Sequence, residues 1–297
     1  MNKLKKPLVS VVMPVYNAGE FIVESIESIL NQTYGNFEFI IVDDASTDNS
    51  YEIAKHYADR DPRITLLRNR TNQGVSITVK RAIRKAKGTY LARMDADDIS
   101  HPTRLEKQVK YLMFHLQTVA VGAQCQIINE YGEVTGKKTF PLEFEKIYRY
   151  IFTFVPLQQP SLMIARTRLP KNFEFYHDGM NTAEEIELIF KLFTYGRVEN
   201  MPEYLLQYRI HSHNTSFKNL RQTFYLTLIS RIKSVSNYGY KPHFMDILIN
   251  IMQLTVISIL PQRTSLWLYR QIRNIASKKR SIPFFGKRSL TITKLSI

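Results

Sequence analysis

Cysteine is almost absent from the sequence, since Cys125 is the only one among 297 residues. A single thiol cannot form a disulfide bond within the chain, which excludes the disulfide-stapled secreted scaffolds and favours a reducing compartment such as the cytoplasm. Long apolar runs are missing near the start as well. The run over residues 8–13 is brief and has no small-residue cleavage pattern after it, so we do not expect a secretory signal peptide.

Acidic residues are nearly absent from the C-terminal part of the chain. Residues 217–297 contain 14 of the 41 Lys and Arg residues but only one of the 26 acids, Asp246, whereas residues 1–216 are almost neutral. The net charge of +15 is thus concentrated in one segment, which is typical of contact with nucleic acid or with an anionic lipid surface. We place a boundary here, between a larger domain (1–216) and a basic helical region (217–297).

The first half of the chain alternates between strand and helix patterns. Short runs rich in β-branched residues predict strands, and apolar residues at helical spacing predict the helices between them. This alternation predicts an α/β fold with a parallel, doubly wound sheet, whose ligands bind at the carboxyl ends of the strands. We expect strands over 8–13, 37–42, 64–67, 89–94, 119–128, 134–140 and 204–210, and helices near 22–30, 49–59, 75–87 (ended by Gly88), 103–116 and 182–195.

Carboxylate side chains follow two of the predicted strands, and a third group opens a later helix. The first two groups should meet at one edge of a parallel sheet, where they repel one another unless a cation lies between them. Oxygen ligands favour Mg²⁺ or Mn²⁺ over zinc. For any single aspartate, the alternative is a role in a turn or a helix cap. The groups are Asp43 and Asp44; Asp95, Asp97 and Asp98; and Glu184, Glu185 and Glu187.

Five segments of the sequence together resemble the family 2 glycosyltransferases and occur in that family's order. The resemblance covers about residues 7–216. It implies a GT-A fold, which is a Rossmann-like, mostly parallel sheet flanked by helices, and an inverting enzyme that takes a sugar from a nucleotide-sugar donor. The segments are VSVVMPVYN (9–17), IVDDASTD (41–48), the DXD-like DADD (95–98), AEEIEL (183–188), and YRIH (208–211) followed by NTS (214–216).

The resemblance implies a nucleotide-binding role for five residues. Pro14, Tyr16 and Asn17 would form the loop against the nucleotide, with Tyr16 facing the base. Asp44 would accept the imide N–H of uracil or thymine, which favours UDP or dTDP over GDP. Asp95 would contact the ribose.

The resemblance also implies the residues of the reaction itself. Asp97 would bind Mn²⁺ or Mg²⁺, which bridges the diphosphate and stabilises the departing nucleotide. His211 would assist the diphosphate or the metal. Glu185 would be the general base that takes the proton of the acceptor hydroxyl. The acceptor would be a saccharide, or a lipid-linked saccharide in bacterial surface polysaccharide synthesis.

The sequence departs from the family pattern at two places. The family usually has Glu-Asp where this chain has Glu184-Glu185, and catalysis is sensitive to such a change in reach, so Glu184 is the alternative base. Lys80 stands where an asparagine is usual; it either reaches a phosphate or is solvated.

The basic region begins with helical patterns and contains one marked polar stripe. Asp246, Asn250 and Gln253 fall on one side of a helix predicted over residues 244–260, and its other sides are apolar. Basic and aromatic residues follow, between 263 and 280. These features predict a helix in the interface of an anionic membrane, and therefore a peripheral location at the inner face of the cell membrane. The alternative is a subdomain that packs its apolar face on the core.

Two other function classes compete with the glycosyltransferase. A sugar-nucleotide nucleotidyltransferase shares the α/β sheet and the divalent ion, but it should have a Gly-rich phosphate loop after the first strand, where this chain has residues 14–17, PVYN. A non-catalytic nucleic-acid binder would need basic residues on the main domain, and that domain is almost neutral. We therefore expect no nucleic-acid partner.

Overall fold

The computed structural model describes residues 6–176, 184–212 and 220–259, and also Thr264. Nine strands in these residues form one sheet. They are β1 (Val9–Val15), β2 (Phe37–Asp43), β3 (Ile64–Arg68), β4 (Tyr90–Arg93), β5 (Ile99–Ser100), β6 (Thr118–Ile128), β7 (Val134–Lys138), β8 (Met163–Ala165) and β9 (Arg197–Arg209). The helices are α1 (Ile22–Leu30), α2 (Ser50–Ala58), α3 (Val75–Lys85), α4 (Arg104–Phe114), α5 (Phe144–Tyr150), α6 (Glu184–Phe193), α7 (Leu220–Asn237) and α8 (Phe244–Ile259).

The strand order is β3-β2-β1-β4-β8-β6-β9-β5, and β7 pairs with β6. The first four strands in this order are parallel, as are β6 and β9. The pairs made by β5, β7 and β8 are antiparallel, so the sheet is mixed. Because β1 lies between β2 and β4, the loops that follow these three strands open at the same edge of the sheet.

Helices pack on both faces of β1, and this strand is accordingly buried on both sides. Val11 and Met13 of β1 pack in one core with Ile22 and Ile26 of α1. Val12 points the other way, into a second core that contains residues of α3 and α6. The second core therefore fixes α6 (Glu184–Phe193) on the face opposite α1.

The predicted α/β class is confirmed, and most elements of the first half lie within two residues of their predicted bounds. The end of α3 differs from the prediction. Helix α3 ends at Lys85, and Gly88 lies in the extended chain that enters β4, where a Cβ atom would come within 2.5 Å of the Ser10 nitrogen. Gly88 is therefore required by close packing against β1 and not by the helix end.

Helices α7 and α8 confirm the predicted helical pattern after the main domain, and α8 is oriented with its polar stripe inwards. Asn250 is 5% exposed; it donates to the Phe152 carbonyl at 2.7 Å and accepts from Arg231 of α7 at 3.0 Å. Gln253 donates to the Thr153 carbonyl. The apolar side faces outwards, where Ile251 is 55% exposed. The alternative, in which the apolar face packs on the core, is therefore wrong for this helix.

No helix in the described ranges is both long enough and apolar enough to cross a membrane. The boundary predicted at residues 216–217 and the basic residues from 265 onwards lie outside the described part of the chain.

Candidate active site

The loops that follow β1 and β2 are tied to each other by hydrogen bonds. The Asn17 backbone N–H donates to Ser46 Oγ at 3.0 Å, and Asn17 Oδ1 accepts the Thr47 N–H at 2.8 Å. Asn17 and Ala45 have φ angles of 49° and 59°, which residues other than glycine rarely adopt. Strained positions of this kind cluster at ligand sites. The two strand-end loops thus form one fixed unit.

The other predicted residues of the nucleotide loop flank this unit. Pro14 is half-buried within β1, where it lies opposite Val42 of β2. Tyr16 follows the strand, and its side chain is 51% exposed. The ring of Tyr16 is therefore available to a ligand, whereas Pro14 shapes the strand end beneath it.

Asp44 is almost completely buried and organises the loop before α3. Its Oδ1 accepts hydrogen bonds from Asn69 Nδ2 at 2.6 Å and from the Gln73 N–H at 2.9 Å, and its Oδ2 accepts the Gly74 N–H at 2.8 Å. The residue is only 3% exposed. A base can reach this carboxylate only through the second lone pair of Oδ2, so Asp44 has a structural function beside its predicted one.

Three carboxylates meet at the end of β4. Asp95, Asp97 and Asp98 each offer an oxygen atom, and these atoms all lie within 4.8 Å of one another. Burial and the nearby Asp97 raise the pKa of Asp95, although Arg93 opposes the shift. Burial, followed by Asp97 and Asp95, raises the pKa of Asp98 well above the usual aspartate value. Carboxylates this close repel one another when ionised, and a cation between them would offset that repulsion.

His211 joins this cluster from the end of β9. Its Nε2 lies 3.0 Å from Asp97 Oδ2, and its ring packs against Phe21 with 4.6 Å between the ring centroids. Imidazole and carboxylate are both metal ligands. The structure therefore brings together the two residues for which a metal role was predicted.

Strand β9 also holds Asp98 in place. Its Oδ1 accepts the Arg209 N–H at 3.0 Å, while its Oδ2 is buried and has no hydrogen-bond partner among the described residues. The Arg209 guanidinium, fully buried, donates to the Asp97 carbonyl and forms an ion pair with Glu24 of α1. Arg209 thus holds the DXD segment against both β9 and α1.

These side chains are a suitable set of ligands for a hard divalent cation. Three carboxylates converge, the His211 imidazole lies against one of them, and one buried carboxylate oxygen is left without a partner in the described structure. An unpaired buried carboxylate oxygen is costly, and a cation would satisfy it. These residues can therefore bind a divalent ion.

Glu185 lies near this cluster, at the start of α6. Burial raises its pKa above the usual glutamate value, and Asp95 acts in the same direction, whereas Lys138 and Arg93 lower it. Glu187, on the same helix, has a different environment: it is buried and accepts the Tyr238 hydroxyl at 2.7 Å. Glu187 thus ties α6 to the chain that follows α7, whereas Glu185 is the described acid of this helix whose pKa responds to Asp95 of the cluster.

Two buried arginines in the site were not predicted. Arg93 is 5% exposed and forms an ion pair with Asp95, with 2.7 Å between Nη2 and Oδ1. Arg209 holds Asp98 as described above. Arg209 belongs to the YRIH segment, so its place in the site could have been predicted from the resemblance. Nothing near Arg93 in the sequence points to its ion pair.

Of the other predicted residues, Lys80 is described by the structure and the rest are not. Lys80 is not solvated: its side chain is 15% exposed and lies 3.4 Å from Glu174. The side chain of Glu184, the helix start at Thr182 and the NTS segment 214–216 lie outside the described residues.

Sequence comparison identifies relatives of the chain. The family model for Glycosyl transferase family 2 matches residues 10–171. A putative glycosyltransferase, EpsE from Bacillus subtilis, is 36% identical over 222 residues, which cover 73% of this chain and 78% of that protein. The O-antigen biosynthesis glycosyltransferase WbnJ from Escherichia coli is 35% identical over 214 residues, which cover 70% and 82%.

Solved structures show the same fold. TarS from S. aureus (residues 1–349, in complex with UDP) superposes with a TM-score of 0.62 at 18% identity, covering 82% of this chain and 69% of that one. The mannosyltransferase PcManGT from Pyrobaculum calidifontis, in complex with GDP-Man and Mn²⁺, has a TM-score of 0.58 at 17% identity and covers 93% and 87%. The family match reaches across the strand-end loops and the DXD segment, and the chain belongs to glycosyl transferase family 2.

Proposed function

We propose that this glycosyltransferase moves a sugar from a nucleotide-sugar, UDP-linked in particular, to a saccharide acceptor with inversion at the anomeric carbon. The convergence of Asp95, Asp97 and Asp98 with His211 and Glu185 at one sheet edge carries this proposal. It would supply a cation site for a diphosphate and a base for an acceptor in one place. The same arrangement does not serve the nucleotidyltransferase alternative, which needs a phosphate loop after β1.

The nucleotide would lie across the ends of β1, β2 and β4. Tyr16 has an accessible ring for the base, and Asn17 keeps the β1 loop fixed against the β2 loop. Asp44 Oδ2 would accept the imide N–H of uracil, and Asp95 would face the ribose. Support for UDP comes from TarS, whose structure was solved with UDP, although PcManGT was solved with GDP-Man.

The cation would be Mn²⁺ or Mg²⁺, held by Asp97 and His211 with Asp98 close by. When bound, it supplies positive charge to the diphosphate of the donor. The Mn²⁺ in the PcManGT complex supports this assignment. Arg209 would keep the DXD segment in place, because its amide and its guanidinium both bind that segment.

Glu185 would act as the base in a single displacement. The acceptor hydroxyl oxygen forms a bond to the anomeric carbon as the bond from that carbon to the diphosphate breaks. The proton of the hydroxyl passes to the Glu185 carboxylate, and the nucleoside diphosphate leaves. One in-line displacement inverts the configuration.

The acceptor would be a growing saccharide of a surface polysaccharide, in lipid-linked form. WbnJ is named for O-antigen biosynthesis, and another relative, TuaG of Bacillus subtilis, is named as a putative enzyme of teichuronic acid biosynthesis. A lipid-linked acceptor requires that the enzyme reach a membrane surface.

Helix α8 would provide this contact. Its polar stripe forms hydrogen bonds with the rest of the protein, and large apolar side chains are exposed on its outward side. Lys233 and Lys241 are exposed nearby, and residues 263–280 contain six more Lys and Arg residues. An apolar surface beside positive charge is complementary to an anionic lipid surface. The enzyme would thus be peripheral at the inner face of the cell membrane.

A donor panel tests the proposed function. The full chain is incubated with UDP-, dTDP- and GDP-sugars with Mn²⁺, and hydrolysis and thermal stabilisation are recorded. We expect at least one UDP-sugar to stabilise the protein and to be hydrolysed slowly. The absence of binding by every nucleotide sugar, with a folded protein, would overturn the proposal.

A further inference from the structure

Tyr208, in β9, is not among the predicted site residues, yet its neighbours in the strand bind the carboxylates of the site. The next residue, Arg209, donates its N–H to Asp98, and His211 follows two residues later beside Asp97. Burial raises the pKa of Tyr208, and several carboxylates add to the effect. These carboxylates are Asp98, Asp97, Asp95 and Glu185.

The ring of Tyr208 is held in a defined way. Lys138 of β7 places its Nζ 5.0 Å from the ring centroid, and Gln158 Oε1 accepts a hydrogen bond from the same Nζ. A cation over an aromatic face is attracted by the ring quadrupole. Tyr208 also packs against the apolar core that contains residues of α1. The orientation of Tyr208 is thus determined by β7 and by the core.

The hydroxyl of Tyr208 is neutral and can donate one hydrogen bond. Among the described residues, no hydrogen bond to this hydroxyl is present. Two of the carboxylates that raise its pKa have opposite functions in the proposed reaction: Asp97 would hold the diphosphate end of the donor through the cation, and Glu185 would take the proton of the acceptor. The transferred sugar must lie between these two ends.

We propose that Tyr208 is a substrate-contacting residue whose hydroxyl donates a hydrogen bond to a hydroxyl oxygen of the transferred sugar, and that Lys138 is the positioning residue for its ring. The inference rests on the proposed function, because the place of the sugar follows from the roles of Asp97 and Glu185. It concerns the sugar part of the donor only. The nucleotide part is bound elsewhere, by the loops after β1 and β2.

The sequence contains a matched control. Tyr204 lies four residues earlier in β9, about 13 Å away along a strand, and Lys137 of β7 places its Nζ 5.1 Å from the Tyr204 ring centroid. Tyr204→Phe and Lys137→Met therefore repeat the two chemical changes on the same pair of strands, away from the carboxylates.

The experiment compares Tyr208→Phe, Lys138→Met and Lys138→Arg with the two controls in the full chain with Mn²⁺. Calorimetry gives the affinity for UDP and for the UDP-sugar that the wild type binds best, and hydrolysis of that UDP-sugar gives kcat. For Tyr208→Phe we expect UDP affinity within about twofold of wild type, and a loss of about tenfold in UDP-sugar affinity or in kcat. Lys138→Met should have a smaller effect of the same kind, and Lys138→Arg should restore it.

The outcomes separate the inference from the function on which it rests. Unchanged UDP-sugar affinity and kcat in Tyr208→Phe would overturn the inference alone. Equal losses of UDP and UDP-sugar affinity, together with a lower melting temperature, would also overturn it, since Tyr208 would then only support Asp98. A wild-type protein that binds no nucleotide sugar would overturn both.

Discussion

His211 Nε2 lies 3.0 Å from Asp97 Oδ2, although the two residues are 114 positions apart in the chain. The contact joins the end of β9 to the loop after β4, so the late segment and the DXD segment form one site. Phe21 packs against the other side of the imidazole. Both polar atoms are of the types that bind divalent metals, and they stand beside two further carboxylates.

The first prediction is that donor binding depends on a divalent metal. UDP affinity should fall sharply in EDTA and return with Mn²⁺ or Mg²⁺, because a cation offsets the charge of the diphosphate beside three carboxylates. Asp97→Asn should lower the affinity for UDP in Mn²⁺ by roughly 100-fold. Asp59→Asn, at an exposed carboxylate of the α2 end paired with Lys55, is the control and should have no effect. Full turnover in chelator would exclude the metal role of the DXD segment.

The second prediction concerns pH. The pKa of Asp98 is raised in the folded protein, so the folded state binds a proton more tightly than the unfolded state does. The stability of the metal-free protein therefore falls, through this group, as pH rises above the ordinary aspartate pKa. Asp98→Asn keeps an acceptor for the Arg209 N–H and removes the charge.

In EDTA, Asp98→Asn should therefore be more stable than wild type by roughly 1 kcal/mol at pH 8, and the difference should shrink at pH 5. Melting curves at the two pH values measure it. For wild type, stabilisation by Mn²⁺ should be larger at pH 8 than at pH 5, because the cation competes with protons for the same oxygens. A variant less stable than wild type at pH 8 in EDTA would show that Asp98 is ionised and fully paired.

The third prediction is a preference for UDP over GDP. Uracil offers one imide N–H to the free lone pair of Asp44 Oδ2, whereas guanine has a different donor pattern. Calorimetry with Mn²⁺ should give an affinity for UDP about tenfold higher than for GDP, which corresponds to one hydrogen bond to a charged acceptor. Equal or tighter binding of GDP would remove the uracil role from Asp44 and leave its bonds to Asn69, Gln73 and Gly74 as its function.

The parallel half of the sheet was predictable because its signals are local. β1, β2 and β4 are buried runs, and the helices between the strands have clear apolar faces, so periodicity is enough to place them. The short antiparallel strands β5 and β8 were not. β8 has three residues and β5 has two, which is too short for any period, and their pairing depends on strands far away in sequence.

The site, too, divides into features with local sequence signals and features that depend on distant contacts. The carboxylates follow strands, so the edge at which they lie could be predicted from topology. The cluster in the described structure contains only Asp95, Asp97 and Asp98, whereas Asp44 binds the loop before α3. The role of Arg93 depends on burial beside Asp95, and the orientation of α8 depends on Arg231 and the Phe152 carbonyl. The polar stripe of α8 is visible in the sequence, but only its partners decide which way it faces.

The fourth prediction is that the outward face of α8 holds the enzyme on anionic lipid. Leu248→Glu with Ile251→Glu should release the protein from phosphatidylglycerol vesicles in a sedimentation assay, because both side chains are exposed and apolar and the change adds negative charge. Leu116→Glu is the control: Leu116 is 75% exposed but lies after α4 in the main domain. Melting curves and UDP affinity should be unchanged in both.

Removal of residues 244–297 should have the same effect on vesicle binding and should spare UDP binding. Unaltered sedimentation of the double variant would show that α8 does not contact lipid. Sedimentation of the truncated chain at the wild-type level would exclude the whole region as the membrane contact.

The last prediction is that Glu185 is the base. Glu185→Gln keeps the size of the side chain but cannot accept the proton, so it should lower kcat by roughly two to four orders of magnitude and leave UDP affinity nearly unchanged. Glu185→Asp, which restores the family's usual residue, should keep substantial activity. Glu187→Gln is a control on the same helix, since Glu187 is bonded to Tyr238 and should affect stability more than turnover.

The pH profile adds a second test. A base must be ionised, and burial raises the pKa of Glu185, so kcat/KM should fall as pH decreases through a value above the ordinary glutamate pKa. The Lys138 and Arg93 charges favour the ionised form and limit this rise. Glu185→Gln should abolish the acid limb of the profile together with the rate. If Glu185→Gln is near wild type while Glu184→Gln is inactive, the base is the preceding residue; if both are active, the proton goes to a group outside this helix.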